Sequence, residues 1–462
     1  MTRFLIPLTL AAVLLSGCAS APLETASAIP TPAAFKGSSL VGAPAPTQTT
    51  AWWLVFSDPV LNDLESRATI NNGDIRIAAA RLTQARALLK SARADLWPQA
   101  GATYAATRTT AQQPYPKATN SHSLDLDLSY EVDVFGRLSQ ASKAAKLDAD
   151  ASAALAKDTQ LLIQSRVAQT YFALRALDED RAIVADTLEA YRASLIVTQH
   201  RFEEGDVAQL DVARLETEVA STQSQAYALD QQRANLANAL SVLAGEPATT
   251  FAIAESSWSS QPWAGAVPVI PAGVPSQVLQ RRPDVIAAEA SLNAAQKRVH
   301  VAKAAWFPTL TLTASGGYAS GDLNTLFDKG MEGWSLAGIL SQAVFDGGRR
   351  NAGIDYANGG LDAAFAGYQQ QVLIAFQDVE DQLSDLSYLQ QQQTAEDQAV
   401  AASTRALAQS QSRYRNGSSS QLEVLDAQRS HLAIRRQALR VRAAQYQSTV
   451  GLIRALGGGW QG

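Results

Sequence analysis

Glu423 and Asp426 stand three residues apart, so a helix sets both carboxylates on one face. Ser420-x-x-Glu423 also spells a capping box, in which the glutamate turns back to the start of its own helix. Both roles are open for Glu423. A second acidic group, Asp125, Asp127, Glu131 and Asp133, could be a metal cluster or the wet face of a strand. Unbroken alternation with apolar residues favours the strand. Arg281-Arg282-Pro283-Asp284 looks reactive, yet proline in a first helical turn with an acid beside it is a helix-start device. Enzyme motifs are absent: His122, His200, His300 and His431 are scattered, with no HExxH, GxSxG or GxxxxGK[ST].

The lone cysteine points to other chemistry. Residues 1–18, MTRFLIPLTLAAVLLSGC, carry one early cation, Arg3, then an apolar stretch from Phe4 to Leu15 too short to span a bilayer permanently. Leu15-Ser16-Gly17-Cys18 resembles a bacterial lipobox, cleaved before the cysteine; the alternative is an ordinary signal peptide with an incidental cysteine. On the lipobox reading residues 1–17 are the signal peptide, and Cys18 becomes the first mature residue, bearing S-diacylglycerol and N-acyl chains. Ala19 behind it fits sorting to the outer membrane. Acyl chains anchor by burying methylenes, at about 0.8 kcal/mol each. Residues 18–50, rich in Pro, Ala, Ser and Thr, form a lipidated tether. One cysteine excludes an intrachain disulfide, and once acylated it is no nucleophile. No other cofactor is expected. A net charge of −5 over 462 residues argues against nucleic acid as partner, since phosphate binding needs clustered Lys and Arg.

A duplication positions the acidic pair. Residues 201–216, RFEEGDVAQLDVARLE, and 413–428, RYRNGSSSQLEVLDAQ, share arginine, aromatic, glycine, leucine, carboxylate and valine at one spacing, with Gly205 and Gly417 212 residues apart. That offset holds from Gln199 and Gln411 to Gly245 and Gly457. Upstream it is 210, matching Asp74 with Asp284, Ala94 with Ala304 and Phe135 with Phe345. The whole unit is therefore repeated, 51–245 and 270–457, with a linker at 246–269 and a tail at 458–462.

Each unit has one internal order. An Ala-rich helical run (72–96, then 284–306) is stopped by Pro98 or Pro308. Two alternating segments follow. In LDLDLSYEVDV, residues 124–134, the even positions are all apolar or aromatic and the odd ones all polar. Strands are expected at 99–110 and 122–135 in the first unit and at 308–320 and 333–346 in the second, with Tyr104 and Trp334 as interface anchors. Long Ala/Gln/Leu-rich runs without proline come next, 138–200 and 350–412, each about 95 Å as a helix. A glycine and a second helix complete helical hairpins at 138–245 and 348–457. Helices this long imply coiled-coil packing, and alanine lets them approach closely. Gly205 and Gly417 take the left-handed conformation that reverses the chain.

Strands apolar on one face and acidic on the other suit a transmembrane barrel wall, although a sheet on a soluble core alternates as well. The lipobox favours the membrane. Four strands cannot close a barrel, and hydrocarbon forbids an open sheet edge. The chain is thus expected to close a ring with copies of itself; two, three or four copies would give eight, twelve or sixteen strands, and the pattern does not choose.

Trp52-Trp53…Phe56-Ser57-Asp58-Pro59, Phe135-Gly136-Arg137, Arg281-Arg282-Pro283-Asp284, Phe345-Asp346-Gly347-Gly348-Arg349 and the two turns together resemble the outer-membrane factor family (TolC/OprM type), nearest its lipoprotein branch. The resemblance runs from Trp52 to Gly457. It implies a mainly α fold with a membrane β-barrel, a homotrimer whose twelve-stranded barrel continues into a periplasmic α-helical barrel. It implies the passive exit duct of a tripartite multidrug or small-molecule efflux system in the outer membrane of a Gram-negative bacterium. Its partners would be outer-membrane lipid, an inner-membrane RND-type pump and a periplasmic adaptor that docks near the turns. Residue roles follow from the resemblance too. Glu423 and Asp426 ring the periplasmic constriction, where six carboxylates of a trimer favour cations. Asp211 hydrogen-bonds Tyr414 as a tip latch, while Leu210 replaces a polar latch residue of some members. Two other readings stay open. The exit duct of a type I protein secretion system is disfavoured by the short tail and the lipobox. A non-channel periplasmic coiled-coil or adaptor lipoprotein is disfavoured by duplicated hairpins that come with strand pairs.

Overall fold

The structure, a computed structural model, describes residues 31–36, 51–110, 118–261, 264–271 and 273–458. Each unit opens on a broken helix. Asp58 accepts from the N–H groups of Val60 and Leu61, and Pro59 takes the first position of α1 (Pro59–Asn71). Asn72 breaks the run and caps α2 (Gly73–Ala94), its side chain accepting from the N–H of Asp74 and Ile75. In the second unit α5 (Pro275–Arg281) and α6 (Pro283–Ala304) repeat the pair, with Arg282 at the break. Both breaks are tied to the end of their own unit. Asn72 donates to the Leu243 carbonyl at 2.9 Å, and Arg282 to the carbonyl of Ala455, which lies 212 residues beyond Leu243, at 3.5 Å.

Strands β1 (Gln99–Thr110), β2 (Ala118–Val132), β3 (Thr309–Ser320) and β4 (Glu332–Ser341) form one antiparallel sheet in chain order. Register sets Leu124 between Tyr104 and Tyr318, and Leu126 between Ala102 and Gly316, which meets Trp334. That face is apolar. On the other, Asp125 lies opposite Gly317 and Asp127 opposite Ser315. Helices pack among themselves and the strands among themselves, so the apolar face is bare; Trp334 is 80% and Leu336 72% exposed. Among the described residues, the outer edges of β1 and β4 meet no further strand.

The strand ends differ from the alternation. β2 stops at Val132 rather than 135 because the Asp133 carboxylate accepts from the N–H of Leu138 and Ser139 and so belongs to the next helix. β4 stops at Ser341 rather than 346, where Asp346 likewise accepts from Gly348 and Arg350. β2 also starts early, at Ala118: its Ala-Thr-Asn-Ser stretch has no apolar alternation to reveal it, yet the ladder to β1 runs on to Thr110.

α3 (Arg137–Glu203) and α4 (Gln209–Ala244) make the first hairpin, α7 (Arg349–Arg415) and α8 (Gln421–Ala455) the second. α3 and α7 are 67 residues each, about 100 Å long. Toward the sheet the helices lie in the order α2–α3–α6–α7; toward the turns the order is α4–α3–α8–α7. The first hairpin ends at Gly245 (φ 72°), where any Cβ would lie 2.6 Å from the backbone of Asn71, so no other residue fits.

The core sits where these two halves meet. Trp52, Phe56, Leu61 and Leu64 pack on Tyr171 and Phe172 of α3, Leu240 of α4 and Tyr446, Val450 and Ile453 of α8. Its aromatic rings interlock, with Phe56–Phe172 centroids at 4.7 Å and Phe172–Tyr446 at 5.1 Å. Two polar groups inside are paired: Tyr171 donates to Asp58 at 2.5 Å, and Asp178 is held between Arg175 (2.9 Å) and Arg233 (2.7 Å). Both arginines also donate to linker carbonyls, Ala254 and Ile253, which lashes the linker across the first hairpin.

Candidate functional site at the hairpin turns

Both long helices end in the same hydrogen-bond pattern. The Asp206 N–H reaches the Arg201 carbonyl at 2.8 Å, and the Ser418 N–H reaches that of Arg413 at 2.8 Å. Gly205 (φ 81°) and Gly417 (φ 72°) supply the left-handed residue this Schellman closure requires. Beneath the turns Tyr191, Leu215 and Leu425 form a small buried cluster that sets the two hairpins side by side. Burial, and next the Glu218 carboxylate, push the Tyr191 hydroxyl up to about 12.

Ion pairs complete the junction. Arg429 of α8 binds Glu218 of α4 and also lies 3.6 Å from Asp426. Higher up, Arg436 grips Asp180 of α3 through two bonds, 2.6 and 2.9 Å. At the very end Arg201 donates to the Tyr414 hydroxyl at 2.8 Å, its guanidinium 5.7 Å from the ring centre.

The residues singled out in the sequence fall here, with altered partners. Within one protomer there is no Asp211–Tyr414 bond: Asp211 lies 3.5 Å from Arg214 of its own helix, and Tyr414 is taken by Arg201. The reason is position. Arg201 and Tyr414 both occupy last helical turns, whereas Asp211 starts the next helix and meets the arginine one turn on. The capping box is not formed either. Ser420 holds the N-cap position without a side-chain bond, and Glu423 reaches across its turn to Arg413 at 3.4 Å. Glu423 and Asp426 are each about half exposed or more, 47% and 63%. Cys18 lies outside the described residues.

Elsewhere the acids between 125 and 133 divide. Glu131 is taken by Arg137 at 2.7 Å and Asp133 by the start of α3, which leaves Asp125 and Asp127 on the open face. Arg281-Arg282-Pro283-Asp284 does start α6, and Arg282 does more. Nearly buried, it binds Asp284 at 2.6 Å and Asp378 of α7 at 2.9 Å. Against the upward pull of burial, that arginine holds the Asp284 carboxyl below the usual carboxylate range.

A protein whose bare apolar sheet continues into two matched hairpins can be compared with known sequences. The profile of the family described as "Outer membrane efflux protein" matches residues 64–246 and 274–458, one stretch per hairpin unit. The chain belongs to this family. Among its relatives is the antibiotic efflux pump outer membrane protein ArpC of Pseudomonas putida, 32% identical over 100% of this chain and 96% of the relative. Another is the pyoverdine export outer membrane protein OpmQ of Pseudomonas aeruginosa, 34% identical over 98% of this chain and 96% of the relative. A solved structure of the outer-membrane channel OprN superposes with a TM-score of 0.88 at 28% identity, covering 96% of this chain and 99% of that one. This outer membrane efflux protein therefore has the fold of an outer-membrane channel, and its family is one of conduits, not of enzymes.

The spacing of residues revealed the turns but not the cross-hairpin pairs. Nothing local in the sequence marks Glu218 as the partner of Arg429, 211 positions away.

Proposed function

We propose that this outer membrane efflux protein is the exit duct of a tripartite small-molecule efflux system, a passive conduit closed by three copies and gated at its hairpin turns. One observation carries the reading. A four-stranded sheet with one bare apolar face, one acidic face and two edges that meet no further strand among the described residues is joined to two matching hairpins. In water such a face and such edges invite aggregation; in hydrocarbon the face is satisfied and the edges must be met by neighbours. Three copies supply twelve strands and six hairpins. Asp125 and Asp127 then face the water of the barrel, acyl chains on Cys18 hold the tether to the membrane, and an inner-membrane pump with its periplasmic adaptor loads the duct from the turn end. The names of the relatives support small-molecule export, one for antibiotic efflux and the other for pyoverdine export.

Deleting the gene lowers resistance to several amphiphilic antibiotics and dyes, and the intact chain restores it. Unaltered susceptibility, with loss of one secreted protein from the medium, would instead make this a protein-secretion duct.

The gate we assign to Glu423, Asp426, Asp211 and Tyr414, with Arg201 as the residue that holds Tyr414. Six carboxylates of Glu423 and Asp426 around one axis repel each other and draw cations. Tyr414→Phe combined with Asp426→Ser removes the Arg201 bond and half of that acidic ring. Single-channel conductance in planar bilayers rises several-fold, and cation preference falls. Conductance equal to that of the parent protein removes these residues from the gate.

A further inference from the structure

The two hairpins are held together differently at one matched place. In the first, Arg181 and Arg192 of α3 bridge to α4, binding Asp230 at 2.6 Å and Gln223 at 2.5 Å. Moved by the 212-residue offset, Arg181 and Arg192 become Gln393 and Thr404 of α7, while Asp230 and Gln223 become Arg442 and Arg435 of α8. The arginines have crossed from the long helix to the short one, and the positions opposite are neutral. Among the described residues Arg435 and Arg442 make no ion pair and no side-chain hydrogen bond. Arg429 and Arg436, on the adjoining row of the same helix, show the contrast by reaching Glu218 and Asp180.

Where the second seam lacks its bridges, a cavity of about 400 Å³ opens between α3, α7 and α8 beside the linker. Small-molecule sites span roughly 300–1,000 Å³. Both arginines line the cavity, and both are half-buried. Ile183, Trp258, Val400 and Leu439 make its apolar wall. Gln393, also in the lining, is 7% exposed; its amide nitrogen donates to Asp397 at 2.7 Å, and its oxygen has no hydrogen-bond partner. Two acids share the lining, Glu179 and Asp397, and each already accepts a bond, Glu179 from the Trp258 N–H at 3.1 Å and Asp397 from Gln393. Neither forms an ion pair with Arg435 or Arg442. A half-buried guanidinium without a counter-charge carries a desolvation cost that a hydrogen-bonded anion offsets.

We propose that this cavity is a binding site for a small amphiphilic organic anion, a carboxylate on an apolar body. The carboxylate meets Arg435 and Arg442, and the body lies against Trp258 and Leu439. The two acids disfavour a compact polyanion such as inorganic phosphate, which could not keep clear of them. From Gln393 to Arg415 is 22 residues, about 33 Å of helix, so the site is remote from the turns. It is complete within one copy of the chain and stands independently of the gate and of the barrel.

Naphthoate, its neutral counterpart naphthamide and the naphthylmethylammonium ion test this by equilibrium dialysis against the full-length protein in lipid nanodiscs, with empty nanodiscs as the blank. In the parent protein naphthoate binds about tenfold more tightly than naphthamide, and the ammonium ion does not exceed the blank. In Arg435→Gln/Arg442→Gln naphthoate falls to the affinity of naphthamide, which is unchanged, while circular dichroism shows the helices intact. Glutamine is the residue the sister hairpin already carries at the first of these positions, Gln223. Gln393→Arg/Arg442→Asp copies the Arg181–Asp230 bridge into the second hairpin, closes the seam and abolishes naphthoate binding. Equal binding of naphthoate and naphthamide, or a preference for the ammonium ion, overturns the proposal on the parent protein alone. No naphthoate binding above the blank overturns it too, as does naphthoate binding that persists undiminished in either variant.

Discussion

Asp178→Ala lowers the stability of the helical body by about 3–5 kcal/mol, the usual result of removing one member of a buried ion pair. The aspartate side chain is 3% exposed, with Arg175 at 2% and Arg233 at 15%. Truncation leaves two guanidiniums there with the Ala254 and Ile253 carbonyls and, for Arg233, the exposed Glu255 carboxylate at 3.9 Å as acceptors. It also releases the Ser256 N–H, bonded to Asp178 at 3.4 Å, so the linker loosens with the core. Urea unfolding followed by far-ultraviolet circular dichroism reads the loss, and limited proteolysis should find the new cleavage between 246 and 261. Replacing all three charged residues by apolar ones of similar volume recovers most of the stability, because the expense lies in the unpaired charge and not in the missing bond. A change below about 1 kcal/mol in Asp178→Ala would mean that water reaches the arginines and that the triad is not a structural element.

Glu65→Met stabilises the protein, and increasingly so as pH rises. Glu65 is fully buried on α1, and neither carboxyl oxygen has a hydrogen-bond partner among the described residues. Burial raises its pKa well above the ordinary glutamate value. In the unfolded chain the carboxyl ionises above about pH 4.5. In the folded chain it stays protonated to higher pH, so the unfolded state gives up its proton first. Below the unfolded value both states are neutral and the group is silent. Above it, folding loses roughly 1 kcal/mol per pH unit until the folded carboxyl also ionises. Methionine removes both the slope and the two unsatisfied oxygens, the latter worth about 1–3 kcal/mol. Glu65→Gln removes the slope only. Denaturation midpoints measured from pH 5 to pH 8 should diverge between parent and variants; parallel curves would show that Glu65 is ionised and paired in the native state.

Glu65 illustrates where sequence reasoning stopped. In Leu64-Glu65-Ser66-Arg67 it reads as one charge on a polar surface, and no local pattern says that α1 turns it inward. Asp178 was equally invisible, since its partners come from its own helix and from Arg233, 55 residues on, and the rotation of two long helices decides the match. By contrast the strand pairs, the duplicated hairpins and the glycine turns were legible, because period-two alternation, a 212-residue offset and a left-handed requirement are all local or repetitive. The turns mix both cases. The sequence placed Tyr414 at the tip, but its neighbour proved to be Arg201, an aromatic–cation contact that no spacing within one hairpin encodes.

The edges of β1 and β4, which meet no further strand among the described residues, bear on how the protein is made. A subunit arriving alone has nowhere safe to put its strands: the periplasm leaves an oily surface exposed, and the bilayer leaves amide groups without water. In the three-copy ring proposed above, insertion and association are therefore one concerted event, steeply dependent on how many newly made copies meet at once. One damaged copy then disables the whole ring it joins, so a minority of defective chains, expressed beside the intact gene, should suppress export out of proportion to their share.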